Sequence, residues 1–480
     1  MEIDVKAGDK LKRTFTHASV SPLLLVALVA SAQIVPVPMK SINPAVSRVV
    51  DAISEEHIAA TMKRLETFGT RNTFSVTGNP TQGIGAARAW IADQFRSYSP
   101  RLEVSFDKNA VKKSGRVWRD VEVVNVVAVL KGKVNPERLV IVCGHYDSLN
   151  RIMKPKAAGA GSQSPGEEDH EATTKAPAPG VNDDGSGTAA VMELARVMSQ
   201  YEWSNTIVFI AMDGEEYGLL GSRAYAQRAK QEKRQIEAVL NNDIIGGEST
   251  SSGRISNRVV NVYSNDPSDS PSRELARYAR EIGERYVPGM QVNTIFRADR
   301  FNRGGDHSSF EMAGFAAVRF TTPEEDYAKQ HKATDTFENA SPGYATRVTT
   351  INGAILASLA LAPAPPVVTR QFTAGLAKGR ITPNLSRGTS GHDAVLHWSL
   401  AKEKSGPELA GFSVVIRATT APFWEKEVYV GNVTEYTLKD FTIDDCVIGV
   451  KALDRQGNES LVSAYVVPPR TTLTEPPPPD

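Results

Sequence analysis

RLVIVCGHYDS, residues 138–148, is an apolar run that ends in a glycine, a histidine and an aspartate. Such a run without polar alternation reads as a strand buried on both faces, as in a parallel sheet covered by helices. Its polar residues come where the strand stops. The pattern repeats outward. VEVVNVVAVL (121–130), TIVFIAM (206–212), EAVLNND (237–243), RVVNVY (258–263) and FAAVRFTT (315–322) read as further strands. Helical stretches cover 46–68, 86–95, 188–199, 221–233 and 272–286. Strands alternating with helices imply an α/β domain with a mostly parallel mixed sheet flanked by helices. Such sheets bind ligands beyond the carboxyl ends of their strands.

Acids and histidines gather at those ends. His145 and Asp147 are two apart, so an extended chain puts both on one face. One can hold a metal while the other orients it by accepting the second ring N–H. Asp183 and Asp184 stand in VNDDGSG (181–187). Either could simply cap a helix N-terminus, where a carboxylate suits the dipole. Two acids followed by Gly185-Ser186-Gly187 favour a tightly packed site instead, with Asp183 as a metal bridge. Glu215 and Glu216 are adjacent in AMDGEEYG (211–218), after a buried strand. Neighbouring carboxylates there are costly unless a cation offsets them. One binding metal and the other moving a proton resolves that cost. Asp243 repeats the logic after AVLNN, and His331 stands in QHKATDT (330–336). Oxygen and imidazole donors without a nearby thiolate favour zinc, with manganese or cobalt as alternatives.

GHYDS, NDDGSG, DGEEYGLLGS, NNDIIG and H-x-x-x-D-T, in this order, resemble the co-catalytic dizinc aminopeptidases, metallopeptidase family twenty-eight. The resemblance spans about residues 45–362 and implies a zinc exopeptidase-like fold. It implies two zinc ions, one on His145, Asp183 and Asp243, the other on Asp183, Glu216 and His331, with Asp183 bridging. It makes Glu215 the general base and Asp147 the support of His145. GGDHSSF (304–310) resembles another family element, with His307 beside the ligands rather than on the metal. Asp335 is expected to fix the turn after His331. The resemblance further implies that the substrate's free α-amine binds near the metals, so that only the first residue is cleaved. Other readings of the same fold are a glutaminyl cyclase using one zinc, a carboxypeptidase of the glutamate-releasing type and a non-catalytic receptor-like domain. The carboxypeptidase would need basic residues for a substrate carboxylate, which Arg297, Arg300 and Arg303 could supply.

The 55 basic and 55 acidic residues balance, without the basic footprint of a nucleic-acid partner. Cys143 and Cys446 lie too far apart in sequence to suggest a disulfide framework. Lys10, Lys12 and Arg13, then PLLLVALVA (22–30) and Ala30-Ser31-Ala32, read as a signal peptide over 1–32. Export to the periplasm or the outside is the expectation, with no membrane span in the mature chain. The peptidase domain is expected over 33–364, interrupted at 151–180 by a polar, aperiodic loop beside the site. His170 in that loop reads as part of a solvated polar run. PAPP (363–366) marks a boundary. Short alternating strands at 394–400, 411–419, 426–431, 434–440 and 446–454 then suggest a β-sandwich over 367–470. Trp398, Tyr436 and VKALDRQGNESLVS resemble the core tryptophan, tyrosine corner and late strands of a fibronectin type III domain. Such a module spaces a catalytic domain or binds a surface, glycan or protein. The tail 471–480 is expected to be disordered.

Overall fold

The computed structural model describes residues 42–155, 167–265, 269–373, 379–400 and 409–466. The expected signal segment, the tail and the middle of the 151–180 loop lie outside the described residues.

The chain opens with α1 (Pro44–Ala52) and α2 (Glu55–Glu66). The single helix expected over 46–68 is broken where Ser54 turns its hydroxyl to the His57 N–H at 3.3 Å and starts a new helix. There follow α3 (Gly83–Tyr98), β1 (Leu102–Val111), β2 (Val121–Leu130), β3 (Asn135–His145), α4 (His170–Lys175), α5 (Ser186–Met198) and β4 (Asn205–Met212). Next are α6 (Leu220–Gln231), β5 (Gln235–Asn242), β6 (Val259–Tyr263), α7 (Pro271–Tyr286), β7 (Gln291–Ile295), α8 (Asp306–Ala313), β8 (Ala317–Thr321) and α9 (Pro342–Leu361).

The strands form one eight-stranded mixed sheet in the order β1-β2-β4-β3-β5-β8-β6-β7. Its middle, β4-β3-β5-β8, is parallel throughout. Every residue of β4 and β8 is buried, as expected for strands covered on both faces. Helices α5, α7 and α9 contribute to the core on one face, and α6 and α8 to the core on the other. Cys143 is a free thiol packed in the second of these cores, and Cys446 is also free. The edge strands β1 and β7 are half exposed and polar, which erases the apolar signal. Helix α9 is apolar on nearly every face, so no stripe marks it. Each fully buried Ile or Leu there contributes about 1.5–3 kcal/mol. Among the described residues no helix is long and apolar enough to cross a membrane.

Beyond α9 come β9 (Thr369–Gln371), β10 (Ile381–Pro383), β11 (Leu385–Ser386), β12 (Ala394–His397), β13 (Leu409–Ala418), β14 (Lys426–Gly431), β15 (Glu435–Leu438), β16 (Cys446–Asp454) and β17 (Ser463–Ala464). The sheets β11-β12-β15 and β14-β13-β16-β17 are antiparallel and share one apolar core around Trp398, Phe412 and Val450. Trp398 meets Phe412 edge-on at 5.4 Å, and Tyr436 packs half-buried at the margin. Hydroxyl-to-backbone bonds in this lobe come from Tyr429, to Ala410 O at 2.8 Å, and Tyr465, to His397 O at 2.9 Å.

The small lobe is clamped to α7. Arg417 pairs with Asp269, and Trp424 Nε1 donates to Glu274 Oε2 at 3.0 Å. Arg277 Nε donates to Pro422 O at 2.7 Å and Tyr278 OH to Glu459 O at 3.2 Å.

Candidate metal centre

Because β3, β4 and β5 run parallel, their carboxyl ends open on one side of the sheet. His145 ends β3, the Glu215-Glu216 turn leaves β4, and Asp243 follows β5. Asp183 lies in the turn before α5, and His331 in the loop between β8 and α9. One ligand atom from each of His145, Asp183 and Asp243 falls within 4.8 Å of the others, and the same holds for Asp183, Glu216 and His331. Asp183 belongs to both triads. Its Oδ1 is 3.3 Å from His145 Nε2 and its Oδ2 3.2 Å from His331 Nε2. Glu216 Oε2 lies 3.0 Å from His331 Nε2, and Asp243 Oδ1 lies 3.8 Å from His145 Nε2.

Glycines bring these segments together. A Cβ on Gly187 would stand 2.2 Å from Asn242 O and 2.4 Å from the Asp184 carboxylate. A Cβ on Gly144 would meet Gly187 at 2.7 Å. The start of α5 can therefore sit against the ends of β3 and β5. Asp184 is a brace there, accepting the N–H of His145 at 3.0 Å, of Gly187 at 2.9 Å and of Ile244 at 3.2 Å.

Asp147 turns one oxygen to the N–H of Glu215 and the other to the N–H of Glu216, both at 3.2 Å. It also lies 3.4 Å from His145 Nδ1, and its own carbonyl is 3.1 Å from that nitrogen. One aspartate thus sets both the imidazole and the acidic turn. Ile244 and His331 have φ of 60° and 54°. A left-handed conformation is costly for a β-branched isoleucine and persists where neighbours enforce it. Ile244 is held by Asp184 and by the N–H of Thr322 at 2.9 Å.

Electrostatics follow from burial and crowding. Burial opposes charge on His145, but Asp147, Asp183 and Asp243 outweigh it and hold the imidazole well above its usual pKa. His331 behaves alike, and Glu216 and Asp183 bring it to about 10. Burial would raise Asp183, but the two histidines hold it well below the usual carboxylate range. Glu215 is pushed well up by burial. Asp306, in the same buried cluster, is pushed by burial to about 7.

Several neighbours escaped the sequence reading. Arg71, fully buried, donates to Tyr146 O, Leu65 O, Pro179 O and Gly180 O at 2.7, 3.1, 2.6 and 2.7 Å. It lies in a loop without periodicity and carries no signal. Arg319 pairs with Asp243 at 3.0 Å and Asp299 at 3.1 Å. A charge inside the apolar strand FAAVRFTT was its readable signal. Gln330 Nε2 donates to Asp183 Oδ2 at 2.8 Å.

Three expectations are corrected. Asp335 holds more than the turn after His331, because its carboxylate accepts the N–H of Asn182 and of Asp183. Arg300 and Arg303 are engaged by Glu325, each within 3.1 Å, and Arg300 also by Asp299 at 3.0 Å. They are not free for a substrate carboxylate. His170 keeps a side chain that is 40% exposed but does not lie in a plain loop: it starts α4 and stacks on Trp118 at 5.8 Å. Neither it nor His307 joins a ligand cluster among the described residues. His307 is buried, with Nε2 2.8 Å from Ala298 O and 3.5 Å from Asp299.

The donor set fits a metal. Two imidazoles and the carboxylates of Asp183, Glu215, Glu216 and Asp243 converge, all within hard-cation and zinc chemistry. Glu216 Oε1 is buried and lacks a hydrogen-bond partner among the described residues, a position a cation would satisfy. The parallel centre of a doubly covered mixed sheet thus carries this cluster at its carboxyl ends, the arrangement of a metal-dependent α/β enzyme.

Comparison with known proteins agrees. The model of peptidase family M28 matches residues 125–356. A probable zinc metalloprotease of Pyricularia oryzae is 36% identical over 443 residues, spanning 85% of this chain and 82% of that one. One from Pyrenophora tritici-repentis is 33% identical over 445 residues, spanning 86% and 84%. The crystal structure of LapB from Legionella pneumophila is similar in fold, with TM-score 0.50 and 22% identity over 66% of this chain and 75% of that one. The chain belongs to peptidase family M28 and is a zinc metallopeptidase.

Proposed function

We propose that this chain is an exported aminopeptidase that hydrolyses the first peptide bond of peptides, using two zinc ions. The observation that carries the reading is Asp183, which faces His145 with one oxygen and His331 with the other. His145, Asp183 and Asp243 would hold one ion, and Asp183, Glu216 and His331 the second. Bound there, zinc polarises the scissile carbonyl and makes water a better nucleophile at neutral pH.

The chain's own groups do the rest. Glu215 belongs to the converging cluster but to neither proposed ligand triad. That place beside the ligands suits a group that takes a proton and returns it. Glu215 accepts a proton from the attacking water as the new C–O bond forms. It gives that proton to the leaving amine as the C–N bond breaks. Asp147 is a positioning residue: it fixes His145 and, through two backbone N–H groups, Glu215 and Glu216. The resemblance to the dizinc aminopeptidases, whose substrates bind by a free α-amine near the metals, supports cleavage from the amino end. The signal-like segment 1–32 supports export. Trp398 in the shared core of the small lobe supports its likeness to fibronectin type III, and a spacing or surface-, glycan- or protein-binding role.

The test compares hydrolysis of leucine anilide, N-acetyl-leucine anilide and a C-terminally free dipeptide, with and without chelator. Chelator-sensitive hydrolysis confined to substrates with a free amino end is expected. Equal hydrolysis of the acetylated anilide would overturn the reading.

A further inference from the structure

Arg319 is the one charged side chain of β8, a strand buried along its whole length. A guanidinium in such a place is costly unless it is paired. Arg319 meets an acid on each side. Its Nη2 lies 3.0 Å from Asp243 Oδ1 and its Nη1 3.1 Å from Asp299 Oδ2. A Cβ on Gly305 would stand 3.2 Å from both Arg319 Nη1 and Asp243 Oδ2, so the bare glycine leaves this pair its room.

The pairing continues beyond Asp299. Asp299 Oδ1 faces Arg300 Nε at 3.0 Å, Arg300 Nη1 reaches Glu325 Oε2 at 2.7 Å, and the same Glu325 oxygen holds Arg303 Nη1 at 3.1 Å. Arg303 Nη1 also donates to Gln330 Oε1 at 3.1 Å, and Gln330 Nε2 donates to Asp183 Oδ2 at 2.8 Å. An unbroken string of polar contacts thus runs from Asp243 to Asp183 through the loops before α8 and after β8. No charged side chain along it is more than 17% exposed, so salt and water screen it little. Between its two ends the string carries three arginines, Arg319, Arg300 and Arg303, against two acids, Asp299 and Glu325. The positive charge in excess offsets the repulsion among the carboxylates of the metal centre.

We propose that this string is a positioning device that sets Asp243 and Asp183 relative to each other for the zinc ion they share with His145, and that Glu325 is its keystone. Glu325 belongs to none of the ligand clusters. It acts on Asp183 through Arg303 and Gln330, and on Asp243 through Arg300, Asp299 and Arg319. The inference rests on the two-ion reading of the site.

Zinc affinity, measured by competition with a chromophoric chelator, tests it. Glu325→Gln keeps the shape of the side chain and removes its charge. It should weaken zinc binding about tenfold or more, the range for partners of metal ligands. Arg319→Met should do the same, and Arg319→Lys, which keeps a cation beside Asp243, should recover part of the loss. Arg319 and Gln330 stand at opposite ends of the string, where independent losses would multiply. The double variant Arg319→Met, Gln330→Leu should instead lose clearly less than the product of the single losses. Should Arg319→Met fail to fold, Arg319→Lys takes its place in that cycle. Affinity of Glu325→Gln within about twofold of wild type, or losses that multiply, would overturn the device. A wild type that binds one equivalent of zinc would overturn the two-ion reading, while the same variants still judge the string on that single ion.

Discussion

Asp335 holds Asp183 by its backbone. Oδ2 of Asp335 accepts the Asp183 N–H at 3.0 Å, while Oδ1 accepts the Asn182 N–H at 2.9 Å. The residue that faces both histidines is thus aimed from a loop some 150 positions away in sequence. Partners of this kind are worth about 10–100-fold in metal affinity or activity. Asp335→Ala should weaken zinc binding and turnover by that amount. Competition with a chromophoric chelator measures it, and unchanged affinity would mean that the turn aims itself.

Glu215 and Glu216 are neighbours with different work. Glu215→Gln should keep zinc content and lower kcat by about a hundredfold to ten-thousandfold, the range of a positioned general base. Glu216→Gln should lose zinc first. Metal analysis of both purified variants separates the roles, and collapse of metal content in Glu215→Gln would exchange them.

Zinc binding should expel protons. In the metal-free chain Glu216 and Asp183 outweigh burial and hold His331 at about 10, so the ring carries a proton at neutral pH. A metal requires the neutral ring. Affinity should therefore rise with pH through the neutral range and level off once pH passes the pKa of the ring. Calorimetric titrations near neutral pH in buffers of different ionisation enthalpy should show release of about one proton or more. Affinity independent of pH would contradict the protonated state of His331.

The central strands and the identity of the site were legible because both leave one-dimensional traces. VEVVNVVAVL matches β2 end to end, and the acids follow their strands directly. What was lost leaves no such trace. β1 is a half-exposed edge, α9 is apolar on nearly every side, and Arg71 sits in an aperiodic loop. Arg319 was visible as a charge within an apolar strand, but only its distance to Asp243 gives that charge a purpose.

Arg71 also bears on stability. Its guanidinium satisfies four carbonyl groups around the Asp183 turn. Arg71→Ala removes that donor from Tyr146 O and Pro179 O, at about 1–3 kcal/mol for each group that water cannot reach, while Leu65 O keeps the Phe68 N–H and Gly180 O the Gly185 N–H. A clear loss of unfolding free energy, accompanied by weaker zinc binding, is expected in denaturant titrations. Stability within experimental error of wild type would show that water replaces the guanidinium.

Trp424 tests the clamp between the lobes. Its indole satisfies Glu274 Oε2 on α7. Trp424→Phe keeps most of the ring but leaves a buried carboxylate oxygen unpaired, at about 1–3 kcal/mol. Thermal unfolding should begin earlier. An unchanged transition would mean that the other contacts of the clamp, Arg417–Asp269, Arg277–Pro422 and Tyr278–Glu459, hold the lobes without it.

The two triads that share Asp183 make the zinc stoichiometry of activity the most direct test. Chelator-stripped protein is titrated with zinc while hydrolysis of leucine anilide is followed. Activity should keep rising until two equivalents are bound. A plateau at one equivalent, with further zinc without effect, would contradict the bridged pair.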